Sequence, residues 1–499
     1  MVACGSADAK SEAKRPNVIV ILADDLGYGD TGSYGGKAIQ TPNMDMLANE
    51  GVRFTDGHAT SATSTPSRYA LFTGSYPWKN KDAKILDGDA PLIIGEDQFT
   101  MPKMFRAAGY TTAAIGKWHL GMGNGNVNWN ATVKPGANQI GFDYSCLIAA
   151  TNDRVPTVYV ENGDVVGLDP NDPIEVNYKT NFGDQPTGKL NPELCKMHWA
   201  HGHNASIVNG IPRIGFMKGG EKAKWVDEDM ADYFVDKVMT FVDENKDKPF
   251  FLYYGLHQPH VPRAPHSRFV GKTTLGPRGD AIAEADWCVG ELIQKLEKEG
   301  LLENTIIVFS SDNGPVMNDG YKDDAWEKLG DHTPAGKLRG GKYSLYSAGT
   351  RVPFMVYWKG HIQPIVSDAL ISHLDLLASF SELIGEKIPE GLDTQNHLDV
   401  FMGKSTKGRT DYVVEATGRM AYRTEQYALI PPYKGQKTNN TGNELGIVED
   451  YTLYDLSKDI TQQSDVTAEN PELVEKLKTK FLALTKGYYN PQTKPQALK

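Results

Sequence analysis

The chain has 499 residues, 40% of them hydrophobic and 23% charged, with a formal net charge of −11. That length implies one large domain plus a smaller one, and the acidic balance excludes nucleic acid as the main partner, because backbone phosphates need a basic field. A small anionic ligand is not excluded, since a few cations in one cleft can hold it, and no apolar run is long enough to form a transmembrane segment.

In chain order, "MVACGS" followed by the polar "ADAKSEAKRPN" resembles the end of a bacterial lipoprotein signal, with Cys4 as the lipidated residue. Residues 1–15 then form a tether, and the expected location is the periplasm or the cell surface, lipid-anchored through Cys4. An ordinary N-terminal tail with a chance cysteine is the other reading. Cys146, Cys195 and Cys288 complete the set without CxxC spacing, which argues against a zinc ribbon, a redox pair or a disulfide framework.

"PNVIVILADD" (16–25) is a continuous apolar run, suited to a fully buried strand that ends in Asp24 and Asp25. "GYGDTG" (27–32) fits GxGxxG, but two aspartates immediately upstream would repel a pyrophosphate and no clear helix opens at its last glycine, so nucleotide binding is rejected. "TPNMDMLANEG" (41–51) predicts a short helix with a capping threonine and a proline in its first turn. In "STPSRYALFTG" (64–74), Pro66 suits the first turn of a helix and leaves Ser64 just before its N-terminus. Free N–H groups and the positive dipole end favour an anion there, and Arg68 adds a forked cation. A capping serine without chemistry satisfies the same pattern.

Amphipathic helix, turn and apolar strand then recur in "QFTMPKMFRAAGYTTAAIGKW", "DYFVDKVMTFVDENKDKPFFLYYGL" and "AIAEADWCVGELIQKLEKEGLLENTIIVFSSDNG". The fold class is α/β: a large, mixed, mostly parallel sheet flanked by helices, whose ligands gather at the carboxyl ends of strands. Lys117 and His119 in "GKWHLG" fall on one face if the strand continues, His257 and His260 follow the strand "PFFLYYGL", and Asp312 and Asn313 close "IIVFSSDN". Lys342 sits on a glycine-rich turn. Residues 124–224, rich in Asn, Gly and Pro, predict long loops. Within them "KMHWAHGH" (196–203) lacks the HExxH helix pattern, so its histidines are read as ligand contacts or exposed rather than zinc ligands. From about 410, short alternating strands and a final amphipathic helix predict an antiparallel α+β subdomain. The expected division is 16–405 catalytic and 406–499 C-terminal.

Adjacent carboxylates are costly to desolvate without a cation between them, and oxygen donors suit a hard ion such as Ca²⁺ or Mg²⁺. Asp24, Asp25, Asp312 and Asn313 form such a set, although either dipeptide alone serves equally as a cap or turn. Arg68, Lys117, Lys342 and several histidines beside that ion describe a pocket for a tetrahedral oxyanion ester.

Together these stretches, with "YTLYDLSKD" near the C-terminus, resemble the type I, arylsulfatase A-like sulfatases in family order, and the chain most resembles their bacterial serine-type members. The resemblance implies an alkaline-phosphatase-like fold and a sulfuric ester hydrolase. Ser64 stands where a radical-type maturase oxidises a serine to formylglycine, whose hydrate accepts the sulfuryl group and then expels sulfate; a plain serine would remain a stable ester. One Ca²⁺ on Asp24, Asp25, Asp312 and Asn313 is implied, with Arg68, Lys117 and Lys342 holding formylglycine and sulfate oxygens. His119 would assist the diol and His260 would protonate the leaving oxygen. Thr151, Asn152, His203 and His257 are the expected sugar contacts, and galactose or N-acetylgalactosamine sulfate of a glycan is the expected substrate. One departure is Ser347, which replaces the family's usual acidic residue. The alternatives are a phosphodiesterase or phosphonate hydrolase of the same superfamily, or a non-catalytic glycan-binding module if Ser64 is unmodified.

Overall fold

The computed structural model describes residues 15–498, so Cys4 and the expected lipid anchor lie outside the described residues. All seven residues of Asn17–Ala23 are buried, as a strand without polar alternation must be when both sheet faces are covered. It pairs in parallel with Phe250–Gly255 on one side and Thr305–Ser311 on the other. The register brings the three strand ends level: Leu22 lies opposite Gly255, and Ala23 lies opposite Ser311. The residues just past those strand ends, Asp24, Leu256 and Asp312, therefore emerge side by side, tied by Asp24 N–H to Gln258 O and Asp312 N–H to Ala23 O, both 3.0 Å.

These are the central strands of a ten-stranded mixed sheet. Thr111–Lys117 and Tyr144–Ile148 continue it in parallel beyond Phe250–Gly255, while Phe354–Tyr357 and Val52–Phe54 extend the other side antiparallel. Alternate residues of the first strand enter different cores. Val18, Val20 and Leu22 pack under the helices Ser64–Thr73, Met101–Ala107 and Leu376–Ile384. Ile19, Ile21 and Ala23 pack under Pro42–Glu50, Met230–Asn245 and Gly276–Lys298. Both faces are thus covered, and each fully buried Val or Ile contributes about 1.5–3 kcal/mol of apolar transfer.

The 124–224 region is not loop throughout. The short, mostly apolar stretch "YSCLI" joins the main sheet as Tyr144–Ile148, its last four residues buried, and Tyr159–Glu161 pairs with it antiparallel. Asp164–Val165 adds the edge strand beside it, Glu175–Asn177 with Phe216–Lys218 and Ile207–Val208 with Ile211–Pro212 form two short ribbons, and the rest of the region is turns and irregular chain, as expected. Near the C-terminus, Asp411–Ala416, Arg419–Thr424, Tyr427–Ile430 and Thr452–Asp455 make a four-stranded antiparallel sheet, covered by the helix Pro471–Leu484 through Val474, Leu477 and Phe481. Its core also takes in Ala62, Ala70, Tyr343 and Leu345, so the small sheet packs against the segments that carry Ser64 and Lys342. Among the described residues, no helix is long and apolar enough to cross a membrane.

Candidate active site

Ser64 is the first residue of the helix Ser64–Thr73, one position further in than the sequence suggests; Thr63, extended at φ −146°, occupies the cap position. Every residue of this helix is buried, so its N-terminus points into the protein rather than into solvent. The Ser64 hydroxyl accepts a hydrogen bond from Lys117 Nζ at 2.9 Å and lies 3.4 Å from both Asp24 Oδ1 and Asn313 Oδ1. Lys117 Nζ also reaches Asp24 Oδ2 at 2.5 Å and Asp312 Oδ2 at 3.6 Å. Arg68 lies one turn along the helix, donates to Asp312 Oδ2 at 2.7 Å, and hydrogen-bonds the Tyr253 hydroxyl.

Lys342 closes the opposite side, 2.8 Å from Asp25 Oδ2 and 2.8 Å from Asp319 Oδ2. Its loop can lie against the "DNG" strand end because a Cβ on Gly314 would sit 1.7 Å from Ala348 O; only glycine permits that approach. Asp25 (φ 66°), His119 (φ 57°), His203 (φ 47°) and Tyr343 (φ 74°) all adopt the left-handed region. Such conformations cost about 1–3 kcal/mol each and persist where the surroundings over-determine them. Their clustering here marks a site built against local preference.

The strand ends at Lys117, so His119 does not share its face by alternation. The positive φ turns its ring into the pocket instead, with Nε2 3.1 Å from Leu86 O. The His260 Nδ1 lies 2.6 Å from Val261 O, while Nε2 lies 3.9 Å from Asp25 Oδ2. Ser64, His119, His203, His260 and Lys342 line one pocket together with Asp153, Arg154, His201, Asp319 and Tyr343.

Burial drives the electrostatics. It pushes the Asp24 carboxyl well up, against Lys117, and pushes the Lys117 ammonium down, against Asp24. Asp312 goes the other way: burial opposes its ionisation, but Arg68 and Lys117 outweigh it and hold the carboxylate far below its usual range. Burial also works against the Lys342 charge, yet Asp25 and Asp319 hold its pKa well above normal. His260 is lowered to about 4 by burial and Lys342, and His119 is lowered well below normal by burial and Lys117.

The oxygen-rich cluster fits a hard divalent ion. Asp24, Asp25 and His260 offer ligand atoms within 4.8 Å of one another. Asp312 Oδ1 accepts from Asp25 N–H at 3.2 Å, and Asn313 bonds Asp25 Oδ1 at 2.8 Å, which puts the expected donors in one buried patch. The carboxylates Asp24, Asp25, Asp312 and Asp319 outnumber the cations Lys117, Lys342 and Arg68 by one, so a divalent ion would leave the patch net positive, as an anionic ester requires.

The four expected sugar contacts separate. His203 lines the pocket, its Nε2 2.8 Å from Asp153 Oδ2. Thr151 is buried behind the wall, bonded to Asp153 and accepting from Arg154 at 2.7 Å. Asn152 and His257 face an adjoining small cavity that His260 also lines. Asp153, Arg154, Asp319 and Tyr343 enter the pocket without having been expected there, while His201 lines it as one of the "KMHWAHGH" histidines read as possible ligand contacts. The charged pair in "TNDR" is the available signal for the first two; nothing in the spacing points to Asp319. Ser347 is buried, and its N–H donates to Gln462 Oε1 at 2.8 Å, away from the ion cluster.

A doubly covered mixed sheet with a hydroxyl, buried cations and a cluster of oxygen donors at its central strand ends is the architecture of an esterase-like hydrolase for a tetrahedral oxyanion. Its family is given by comparison: the sulfatase model matches residues 16–386, and the chain belongs to the sulfatase family. It is 48% identical to the N-acetylgalactosamine-6-O-sulfatase of Bacteroides thetaiotaomicron, over 94% of this chain and 93% of that one. It is 30% identical to human arylsulfatase A, over 93% and 87% respectively. A solved sulfatase structure from work on glycosaminoglycan metabolism by B. thetaiotaomicron superposes with a TM-score of 0.93 at 47% identity, covering 95% of this chain and 99% of that one.

Proposed function

We propose that this sulfatase removes the 6-O-sulfate of N-acetylgalactosamine, or of the closely related galactose, in a sulfated glycan. The observation that carries the reading is the position of Ser64: its hydroxyl is within 2.9 Å of Lys117 and 3.4 Å of Asp24 and Asn313, at the floor of a pocket that His119, His260 and Lys342 also line. The 48% identity to an N-acetylgalactosamine-6-O-sulfatase supports the sugar.

Each residue's part comes from its contacts. Arg68 fixes Asp312 and, with Lys117, neutralises the floor, so that a sulfate oxygen meets positive charge. Lys117 stabilises an oxyanion on residue 64. Lys342 faces the other sulfate oxygens from the opposite side. His260, which lines the pocket and whose Nδ1 is engaged by Val261 O, delivers a proton to the departing sugar oxygen; the bound sulfate's negative charge stabilises the imidazolium that burial disfavours in the free enzyme. His119 steadies the second hydroxyl of the hydrated side chain.

Asp24, Asp25, Asp312 and Asn313 would hold one Ca²⁺, which supplies Lewis-acid polarisation of a sulfate oxygen. Oxidation of Ser64 to formylglycine by a radical-type maturase gives an aldehyde, and addition of one water gives the geminal diol; one hydroxyl takes the sulfuryl group as the sugar oxygen leaves, and loss of the other hydroxyl's proton re-forms the aldehyde and expels sulfate. Arg154, His203 and Asp153 are the sugar-reading wall. Residues 16–405 carry the catalytic machinery, and export to the periplasm or cell surface, with Cys4 as a lipid anchor, places it where glycans are met.

A panel of 6-, 4- and 3-O-sulfated galactose and N-acetylgalactosamine, with a phosphodiester alongside, tests the reading. The 6-O-sulfates are expected to turn over fastest. Preference for another position refutes the regiochemistry, and faster phosphodiester cleavage refutes the sulfatase assignment.

A further inference from the structure

The pocket wall has a third component besides the main sheet and the 124–224 region. Gln496, Ala497 and Leu498 line it, although they lie beyond the last helix and come from the far side of the antiparallel subdomain. Gln496 is held like a strand partner: the Ile85 N–H donates to its Oε1 at 3.0 Å, and its Nε2 donates to Ile85 O at 3.0 Å. Leu498 packs with Ile85 against the C-terminal core, and upstream the Tyr489 ring packs edge-on to Phe481 at 5.1 Å. Two prolines, Pro491 and Pro495, limit the freedom of the stretch between these anchors.

Beside this segment lies a second hollow of about 480 Å³. It is lined by Thr417, Gln436, Asn439, Asn440 and Lys494, and it shares Tyr343 and Gln496–Leu498 with the catalytic pocket. The same few residues therefore form both the wall of the first cavity and the wall of the second. Without them the two hollows would form one groove. The second hollow offers side-chain amides, a hydroxyl and one ammonium, groups that bond sugar hydroxyls and an anionic substituent.

We propose that residues 494–498 form a strap that sets the length and direction of glycan the site accepts, dividing a through-groove so that sugar beyond the sulfated residue is excluded from the Gln436–Asn440 hollow. This rests on the glycan reading of the site. The strap is a specificity determinant and takes no part in the chemistry. It adjoins the machinery locally: Ile85 precedes Leu86, whose carbonyl lies 3.1 Å from His119 Nε2, and Tyr343 bonds Asp319 at 2.9 Å.

The test compares kcat/KM for 6-O-sulfated N-acetylgalactosamine with that for a tetrasaccharide bearing the same sulfated sugar internally. It uses formylglycine-containing wild type, a deletion of residues 490–499, and Gln496→Ala, which removes both bonds to Ile85 without shortening the chain. Thermal melts confirm that each variant is folded, and Gln496→Ala carries the test if the deletion is not. The tetrasaccharide-to-monosaccharide ratio is expected to rise about tenfold or more on freeing the strap, the equivalent of removing one steric exclusion. An unchanged ratio in a folded variant overturns the strap. So does an equal fall in kcat on both substrates, which would mean that the segment acts through Leu86 on His119. If wild type turns over neither sugar, the glycan reading itself fails, and the strap with it.

Discussion

The floor and the wall of the pocket are built differently. The floor consists of residues at the ends of buried parallel strands and at one buried helix start: Asp24, Asp25, Ser64, Lys117, Asp312 and Asn313, none more than 4% exposed. The wall consists of loops from distant parts of the chain, bearing Asp153, Arg154, His203, Asp319, Tyr343 and Gln496–Leu498. Rigid strand register fixes the distances that bond-making needs. Loops can change to suit a sugar without disturbing them.

This division predicts unequal responses to substitution. The largest is expected at the floor. Asp312→Ala leaves the fully buried Arg68 guanidinium without its 2.7 Å partner, which should cost about 3–5 kcal/mol of stability and abolish measurable turnover; urea unfolding and a sulfate-release assay check both. A fully stable variant would mean that Arg68 is compensated elsewhere and that the floor is not one charge network.

At the wall, Arg154→Ala should raise KM for the sulfated sugar by about 10–100-fold while kcat stays within about threefold, the pattern of lost uniform binding. A fall in kcat as deep as that of a floor variant would erase the distinction between the two regions.

A smaller effect lies behind the floor. Glu284 accepts from Gln258 Nε2 at 3.0 Å and from His266 N–H at 2.8 Å, and burial pushes its pKa from 4.5 to about 7. The folded state keeps a proton there that the unfolded chain releases, so stability declines as pH rises from about 4.5 to 7 and is level above that window. Glu284→Gln should remove that decline, a difference on the order of 1–3 kcal/mol, without altering turnover. Parallel melting curves between pH 4.5 and 8 test it, and identical slopes for the two proteins would place the Glu284 pKa near its ordinary value.

The same contrast governs what can be read from the sequence. Uninterrupted apolar runs such as "NVIVILA" and "TIIVFSS" declare buried strands, and the polar residues that end them have nowhere to go but the strand-end crevice; hence Asp24, Asp25, Asp312 and Asn313 are legible in the chain alone. Lys117 is legible for the same reason, whereas His119 reaches the pocket through a left-handed turn that no alternation pattern encodes. The wall is nearly opaque. Thr151 and Asn152 look like sugar contacts in the sequence, but loop geometry sends Arg154 and Asp153 into the pocket and keeps Thr151 behind them. Gln496 lies 411 residues from its partner Ile85, and such long-range docking leaves no local signal. The strand Tyr144–Ile148 is hidden because four apolar residues broken by Ser145, among Asn, Gly and Pro, are too few to stand out.

The proposal that residue 64 becomes an oxidised nucleophile among these cations is tested most directly by the mass of the peptide containing Ser64. The peptide should come from protein matured in its own host and be measured beside sulfate release by wild type and Ser64→Ala. The account predicts a peptide lighter by two hydrogens in wild type, together with a loss of at least about 10³-fold in kcat for Ser64→Ala. An unmodified serine in an enzyme that still releases sulfate at full rate would contradict it.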